Sequence, residues 1–347
     1  MKAVILAGGS GTRLYPLSTI KQPKQFQCLV SNKTLIEETI SRLDFLNPKD
    51  IYIAFNENHL SLIKKYCKKI PKENFIIEPA LRDTAPCIGF AAAIIAKKFP
   101  NETMAVIYAD HLIKNKKEFQ KRLKDAEFLS NTYDTLNIIE VVAKEPNPNL
   151  GYVKIGEKMI EQKNNTKDVY FLDRFVEKPN IETAKKFIKE KNYLWNTGIY
   201  VWKAETLLNQ YKQFKPEMYK IFEQISKVLG TAKANSTIKA LYPTLEKISI
   251  DYAIMEKTSP KKIRILKADL SWSDIGNWEA IYNELSKNKK DNVTKGKVKI
   301  IDCEGCLIYG LNKKQVSAIG LKDKIIIDCS EGLLICDKSQ SKRVKEL

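Results

Sequence analysis

Residues Lys2 to Ala7 (KAVILA) form a short apolar run that passes without a break into Gly8-Gly9-Ser10-Gly11-Thr12-Arg13. Such a run predicts a buried parallel strand, and a glycine-rich loop at its carboxyl end can turn backbone N–H groups onto phosphate oxygens. The familiar phosphate loops do not match. After Gly9-x-Gly11 the chain has Leu14 where a dinucleotide fingerprint needs a third glycine, and no Gly-Lys-Ser/Thr follows. Pro16 and Pro23 disfavour a long helix directly after the glycines, which leaves an open loop with Arg13 and Lys24 as separate cationic arms. This chemistry suits a polyphosphate cradle.

Further strand-like runs follow at Ile51 to Phe55, Phe75 to Ile77, Met104 to Ala109 and Ile138 to Ala143. Between them lie segments of helical spacing such as Leu35, Ile36, Thr39, Ile40 and Leu43. Strands alternating with helices predict an α/β, doubly wound, mostly parallel sheet whose ligands sit outside the strand carboxyl ends. The Gly8 loop and Asp110 both fall at such ends. From about Tyr152 to Tyr200 the pattern turns to short strands broken by Gly and Pro, and a helical stretch runs from about Ala204 to Ala240. Beyond Asn292 brief apolar runs alternate with turn residues, the texture of a small β-helix-like domain. The expected division is 1–290 and 291–347.

At 347 residues the chain exceeds one typical domain, and it contains no run of about 18 apolar residues. Its first residues read as a strand, not as a signal segment, so a soluble cytoplasmic protein with no membrane partner is expected. Seven cysteines, scattered and odd in number, do not suggest a disulfide framework. The formal net charge of +18 raises a nucleic-acid reading. However, the lysines are spread in pairs along apparent helix faces and no zinc-finger or RNP signature accompanies them, so no nucleic-acid partner is expected. Cys303-x-x-Cys306 with Cys329 and Cys336 has spacing unlike a zinc ribbon, and small residues in short strands are the expected reading.

Several segments carry chemistry. Glu78 to Pro86 (EPALRDTAP) precedes the apolar run Cys87 to Ala96, with Asp83 or Thr84 able to cap a helix there and Pro86 suited to its first turn. Asp110-His111 leaves a buried strand, a plausible place for a Mg²⁺ ligand. Phe175-Val176-Glu177-Lys178-Pro179 and Trp195-Asn196-Thr197-Gly198 offer groups for hydroxyls and a phosphate, and Ser249 to Glu256 and Ser271 to Trp278 add Asp251 and Asp274 in apolar and aromatic settings. Asp110 and Asp274, completed by substrate phosphates, would make the oxygen-only shell that Mg²⁺ accepts. With Arg13 and Lys24 they describe phosphoryl or nucleotidyl transfer, in which alignment and charge neutralisation carry the catalysis.

The ordered set LAGGSGTRLYPLS, PKQF, EPALRDTAP, ADH, FVEKP, LWNTGIY, SIDYAIMEK and SWSDIGNW closely resembles the mannose-1-phosphate guanylyltransferase family. The likeness runs over about residues 1 to 345. It implies a Rossmann-like nucleotidyltransferase sheet and attack of mannose 1-phosphate on the α-phosphorus of GTP, giving GDP-mannose and pyrophosphate with Mg²⁺. By the same likeness Ala7, Gly8 and Gly9 meet the nucleoside, Ser10, Gly11, Thr12 and Arg13 hold the triphosphate, and Lys24 stabilises the α-phosphate. Arg82, Thr84, Ala85 and Pro86 shape the base pocket, while Asp110 and Asp274 bind the metal. Gly151, Glu177, Asn196 and Asp251 recognise mannose, with Lys178 on its phosphate. The resemblance admits a homodimer.

Departures from the family pattern bear on selectivity. Relatives usually read Gly-Arg-Asn-Thr-Ala-Pro where this chain has Leu81-Arg82-Asp83-Thr84-Ala85-Pro86, and Tyr108 replaces a common Pro. Losing Gly changes the backbone options near the base, and Asp for Asn exchanges an amide donor for an acceptor-only group. A sister sugar-1-phosphate nucleotidyltransferase with another base or sugar is therefore the alternative activity, and a noncatalytic polyanion-binding protein is a third reading. The C-terminal isomerase barrel of many relatives would lie beyond Leu347, so no mannose-6-phosphate isomerase activity is expected.

Overall fold

The structure is a computed structural model that describes residues 1–9, 12–159 and 167–347, and of Thr12 the backbone only. In chain order the first strands are β1 (Lys2–Leu6), β2 (Ile51–Asn56), β3 (Phe75–Glu78), β4 (Thr103–Tyr108), β5 (Leu112–Ile113) and β6 (Leu136–Val142). They are followed by β7 (Tyr152–Lys158), β8 (Val169–Val176), β9 (Tyr193–Lys203), β10 (Ile263–Ala268) and β11 (Trp272–Ser273). All but β5 and β11, which pair with each other, form a nine-stranded sheet in the order β3-β2-β1-β4-β9-β6-β10-β8-β7. Pairing is parallel through β3, β2, β1 and β4 and again between β6 and β10.

The doubly wound, Rossmann-like sheet expected from the alternation is thus present, with its parallel run at the β3-to-β4 side. The other side is mixed, because the 11-residue β9 pairs antiparallel with β4, β6 and β7 together. The stretch read as short strands between Tyr152 and Tyr200 also contains a helix, Ile181–Glu190. Asn180 caps it by accepting from the Thr183 N–H at 2.8 Å.

Side chains of β1 alternate between two cores, as the pleat requires. Val4 and Leu6 enter one, with Ile88, Phe90 and Trp202, and Ala3 and Ile5 enter the other, with Phe26, Phe55 and Leu123. Each fully buried aliphatic side chain is worth about 1.5–3 kcal/mol, so a charge at Val4 would disrupt the parallel side of the sheet, where β1 lies between β2 and β4. The helices are α1 (Leu35–Arg42), α2 (Leu60–Tyr66), α3 (Thr84–Lys98), α4 (Lys116–Tyr133), α5 (Ile181–Glu190), α6 (Ala204–Phe214), α7 (Pro216–Val228), α8 (Ala234–Leu241) and α9 (Trp278–Leu285), the last packed toward the tail. α3 is buried from Ala85 to Ile95 because α6 and α7 pack over it. Asp83 caps it, accepting from the Thr84 N–H at 2.7 Å.

The tail contributes β12 (Val293–Gly296), β13 (Val298–Ile301), β14 (Leu307–Gly310), β15 (Val316–Ile319), β16 (Lys324–Cys329) and β17 (Gly332–Asp337). β12, β14 and β16 stack in parallel register on one side and β13 and β15 on another, which is a β-helix coil. Cys306, Ile308, Ala318 and Ile326 fill its interior. Leu307, Tyr309, Ile325 and Ile327 pack against Leu14, Trp278 and Ile281. The Cys303 and Cys306 thiols donate to the carbonyls of Ala318 and Leu321. Among the described residues no helix is long and apolar enough to cross a membrane.

Candidate active site

The site begins where neighbouring parallel strands end together. β1 and β4 pair from Lys2↔Met104 to Leu6↔Tyr108, so the glycine loop and Asp110 leave the sheet side by side. Four residues past β4 the short pairing of β5 with β11 sets Ser273 opposite Leu112, and this brings Asp274 to the Asp110 turn. Lys24, in the 3₁₀ turn Lys24–Phe26, closes the group: its Nζ donates to Asp110 Oδ2 at 3.1 Å and to the Asp274 carbonyl. Burial disfavours charge on Asp110, but the Lys24 ammonium, helped by His111, more than offsets it and holds the carboxyl below its ordinary range.

Gln25, next in sequence, pins the start of the loop by donating to the carbonyls of Ala7 at 2.8 Å and Gly9 at 3.0 Å. Both backbone groups of Ala7 are therefore engaged within the protein, since its N–H donates to the Ala54 carbonyl at 2.7 Å.

A cleft of about 480 Å³ opens here. Arg13, Lys24, Asp110 and Asp274 line it together with Gly151, Glu177, Lys178, Asn196 and Asp251, so phosphate-type cations, paired carboxylates and sugar-type hydrogen-bonding groups share one space. Asp251 is 7% exposed and accepts at Oδ1 from the Tyr200 hydroxyl at 2.7 Å and Asn196 Nδ2 at 3.1 Å. Burial and then the nearby Glu177 charge raise its pKa to about 6, against those two hydrogen bonds and Lys178. Glu177 and Lys178 form an ion pair at the cleft wall. Gly151 allows close approach there: its carbonyl accepts from the Asn196 N–H at 2.8 Å, and a Cβ would run into the Glu177 carboxylate.

The other expected residues are placed less uniformly. Thr84 lines the cleft, but its hydroxyl oxygen also accepts from the Ile250 N–H at 2.9 Å, tying α3 to the Asp251 segment. Ala85 and Pro86 are buried in the first turn of α3, and with Arg82 and residues 7–9 they are not among the residues lining the cleft. Ser10, Gly11 and the Thr12 side chain lie outside the described residues. Reading the sequence left Gln25, Tyr200 and Glu78 without roles. Glu78, buried at the end of β3, accepts from the Tyr242 hydroxyl, and its Oε1 lies 3.2 Å from where a Gly8 Cβ would stand. A carboxylate closing an apolar strand beside the loop was the available signal.

A nucleotidyl transferase family model matches residues 2–291, and a MannoseP isomerase/GMP-like beta-helix domain model matches residues 296–347. A mannose-1-phosphate guanylyltransferase of Escherichia coli is 33% identical over 99% of this chain and 74% of its own length. One of Salmonella montevideo is 31% identical over 99% and 72%. The chain belongs to the mannose-1-phosphate guanylyltransferase family. The crystal structure of mannose-1-phosphate geranyltransferase from Thermus thermophilus has the same fold, with a TM-score of 0.89 at 27% identity over 99% of this chain and 97% of that one.

Nucleotidyltransferases of this kind generally use a divalent metal. The residues here fit one. The Lys24 ammonium already lies against Asp110 and the Asp274 carbonyl, so the spot has the chemistry of a cation site. Among the described residues no group of three or more His, Cys, Asp or Glu is assembled, so a hard cation would complete its shell from phosphate oxygens and water.

Proposed function

We propose that this guanylyltransferase-family chain joins mannose 1-phosphate to the guanylyl group of GTP, releasing pyrophosphate. The observation that carries the reading is the one cleft in which Arg13, Lys24, Asp110 and Asp274 meet Glu177, Lys178, Asn196 and Asp251. A phosphate oxygen of the sugar phosphate attacks the α-phosphorus in line, the new O–P bond forms, and the bond to the β-phosphate oxygen breaks. A phosphate monoester is largely ionised near neutrality, with a second pKa of about 6, so no general base is needed.

Lys24 neutralises the α-phosphoryl group under attack, and Arg13 with the glycine loop neutralises the leaving pyrophosphate. Asp110 and Asp274 would hold Mg²⁺, which supplies charge neutralisation and alignment of the phosphates. Arg82, Thr84, Ala85 and Pro86 surround the base side, and Glu78 adds a carboxyl able to pair with the guanine N1–H and amino edge. Asn196, Glu177, Asp251 and Gly151 bind the sugar and Lys178 its phosphate. The catalytic part is 1–290 and the β-helix part 291–347, working in the cytoplasm, where seven free cysteines stay reduced.

The experiment is pyrophosphate release with Mg²⁺, each of the four common NTPs, and mannose 1-phosphate, glucose 1-phosphate or no sugar, with Asp110→Ala as control. Release with GTP and mannose 1-phosphate alone, lost in the control, is the expected result. Turnover with another pair would move the chain to a sister activity.

A further inference from the structure

Opposite Glu140 the central sheet leaves its regular ladder. β6 and β9 pair at Ile139↔Ile199 and next at Val141↔Trp195, so Asn196, Thr197 and Gly198 all stand against Glu140 alone. The bulge turns these three residues into the cleft they line. Gly198 takes φ +70 there.

A bulge inside a sheet leaves backbone groups without ladder partners, and buried ones must be satisfied in another way. Glu140 does this for Thr197, whose N–H donates to Glu140 Oε2 at 2.6 Å. The Thr197 hydroxyl donates to the Ile139 carbonyl on the same stretch of β6, and the Gly198 N–H donates to Asn196 Oδ1 at 2.9 Å. Asn196 is then directed onto Asp251 through Nδ2.

Glu140 is fully buried and its Oε1 has no hydrogen-bond partner among the described residues. Burial pushes its carboxyl well above the usual range, against the Thr197 bond and reinforced by the Asp251 charge. β6 carries a second buried polar side chain, Asn137, which is fully hydrogen-bonded through its amide, whereas Glu140 meets only the Thr197 N–H of the bulge, and that points to a specific task for the carboxyl.

We propose that Glu140 is a positioning residue for the sugar phosphate: it clasps the β9 bulge and so sets the direction of Asn196 toward Asp251 and the sugar. The inference rests on the reading of Asn196 and Asp251 as sugar-binding groups. Glu140 touches no substrate, and its effect is confined to the half of the cleft that β9 builds.

The test compares Glu140→Met, which keeps the volume and removes the acceptor, with Glu140→Gln, which keeps an acceptor for Thr197, and with Asn196→Ala. KM for mannose 1-phosphate and for GTP are measured separately, with thermal unfolding to establish that each variant is folded. Glu140→Met raises KM for mannose 1-phosphate about tenfold while KM for GTP stays within about twofold, and Glu140→Gln recovers most of the loss. If Glu140→Met does not fold, Glu140→Asp, which keeps the acid but shortens its reach, gives the same selective rise. Equal rises in both KM values, or no rise where Asn196→Ala shows one, overturn the positioning role. An Asn196→Ala variant with unchanged KM for the sugar phosphate overturns the sugar-site reading itself, and this inference with it.

Discussion

Asp251 offers a direct thermodynamic test of how the cleft is built. Its carboxyl is 7% exposed, and burial followed by the Glu177 charge lifts its pKa from 3.8 to about 6. The folded state therefore binds this proton more tightly than the unfolded state does. The resulting stabilisation is fully present below about pH 3.8 and fades as pH rises through about 6, and over the whole span it is worth roughly 3 kcal/mol. Between about pH 5 and about pH 8 the part lost is about 1.4 kcal/mol. Asp251→Asn keeps the shape and an oxygen that can accept from the Tyr200 hydroxyl, but it has no proton to exchange.

Urea unfolding of both proteins, followed by tryptophan fluorescence at the two pH values, isolates the effect because titrations outside the Asp251 neighbourhood are common to both. The variant gains on the parent by about 1.4 kcal/mol in going from about pH 5 to about pH 8. A stability difference that does not move with pH would show that Asp251 titrates as an ordinary carboxylate, and the electrostatic account of the cleft would fall with it.

Other consequences are equally open to measurement. Asp110→Ala and Asp274→Ala each weaken Mn²⁺ binding at least tenfold by water-proton relaxation if both hold the metal, and binding unchanged in either one removes that residue from the site. Glu78→Gln lowers the preference for GTP over ATP in kcat/KM by about tenfold, since the buried carboxyl beside Gly8 no longer matches the guanine edge, and an unaltered ratio assigns base choice elsewhere. Gly198→Ala forces a side chain into φ +70 and into the Tyr108 ring, so its urea midpoint drops by an amount equivalent to at least about 2 kcal/mol, and a parental midpoint would refute the crowding. Tyr309→Phe removes the donor to the Leu29 carbonyl at 2.9 Å across the junction with the tail, at about 1–2 kcal/mol, and a melting temperature equal to the parent would mean that this bond is replaced by another.

Strands such as Ile51–Asn56 and helices such as Leu35–Arg42 could be read from local pattern, because apolar periodicity and a capping box at Thr34 act over a few residues. The Thr34 box is complete, with Glu37 reaching back to the Thr34 N–H at 2.9 Å. The helix at Ile181–Glu190 does carry a helical period, Ile181, Ala184, Phe187 and Ile188, but the run is short and sits between strands, so reading that stretch as short strands misses it. In the cleft, Asp110 stood out at the end of an apolar run, Lys24 as a cationic arm after the glycine loop and Asp274 as a carboxylate in an aromatic setting. Gln25 and Tyr200 did not, because a neutral side chain acquires its role only from the carbonyl or carboxylate it meets in space.

What the sequence determined by itself was the order of elements, the loop chemistry after β1 and the family that this order marks. Those properties are written in nearest-neighbour terms: apolar period, glycine, proline and cap. Tertiary structure alone decided that the two-residue β5 and β11 pair, and so that Asp274 meets Asp110 and Lys24. It also decided that β9 bulges opposite Glu140. Strands of two residues carry no period, and a bulge is a mismatch in register between segments far apart in the chain. Both are settled by which packing buries the most apolar surface while leaving the fewest backbone groups unpaired.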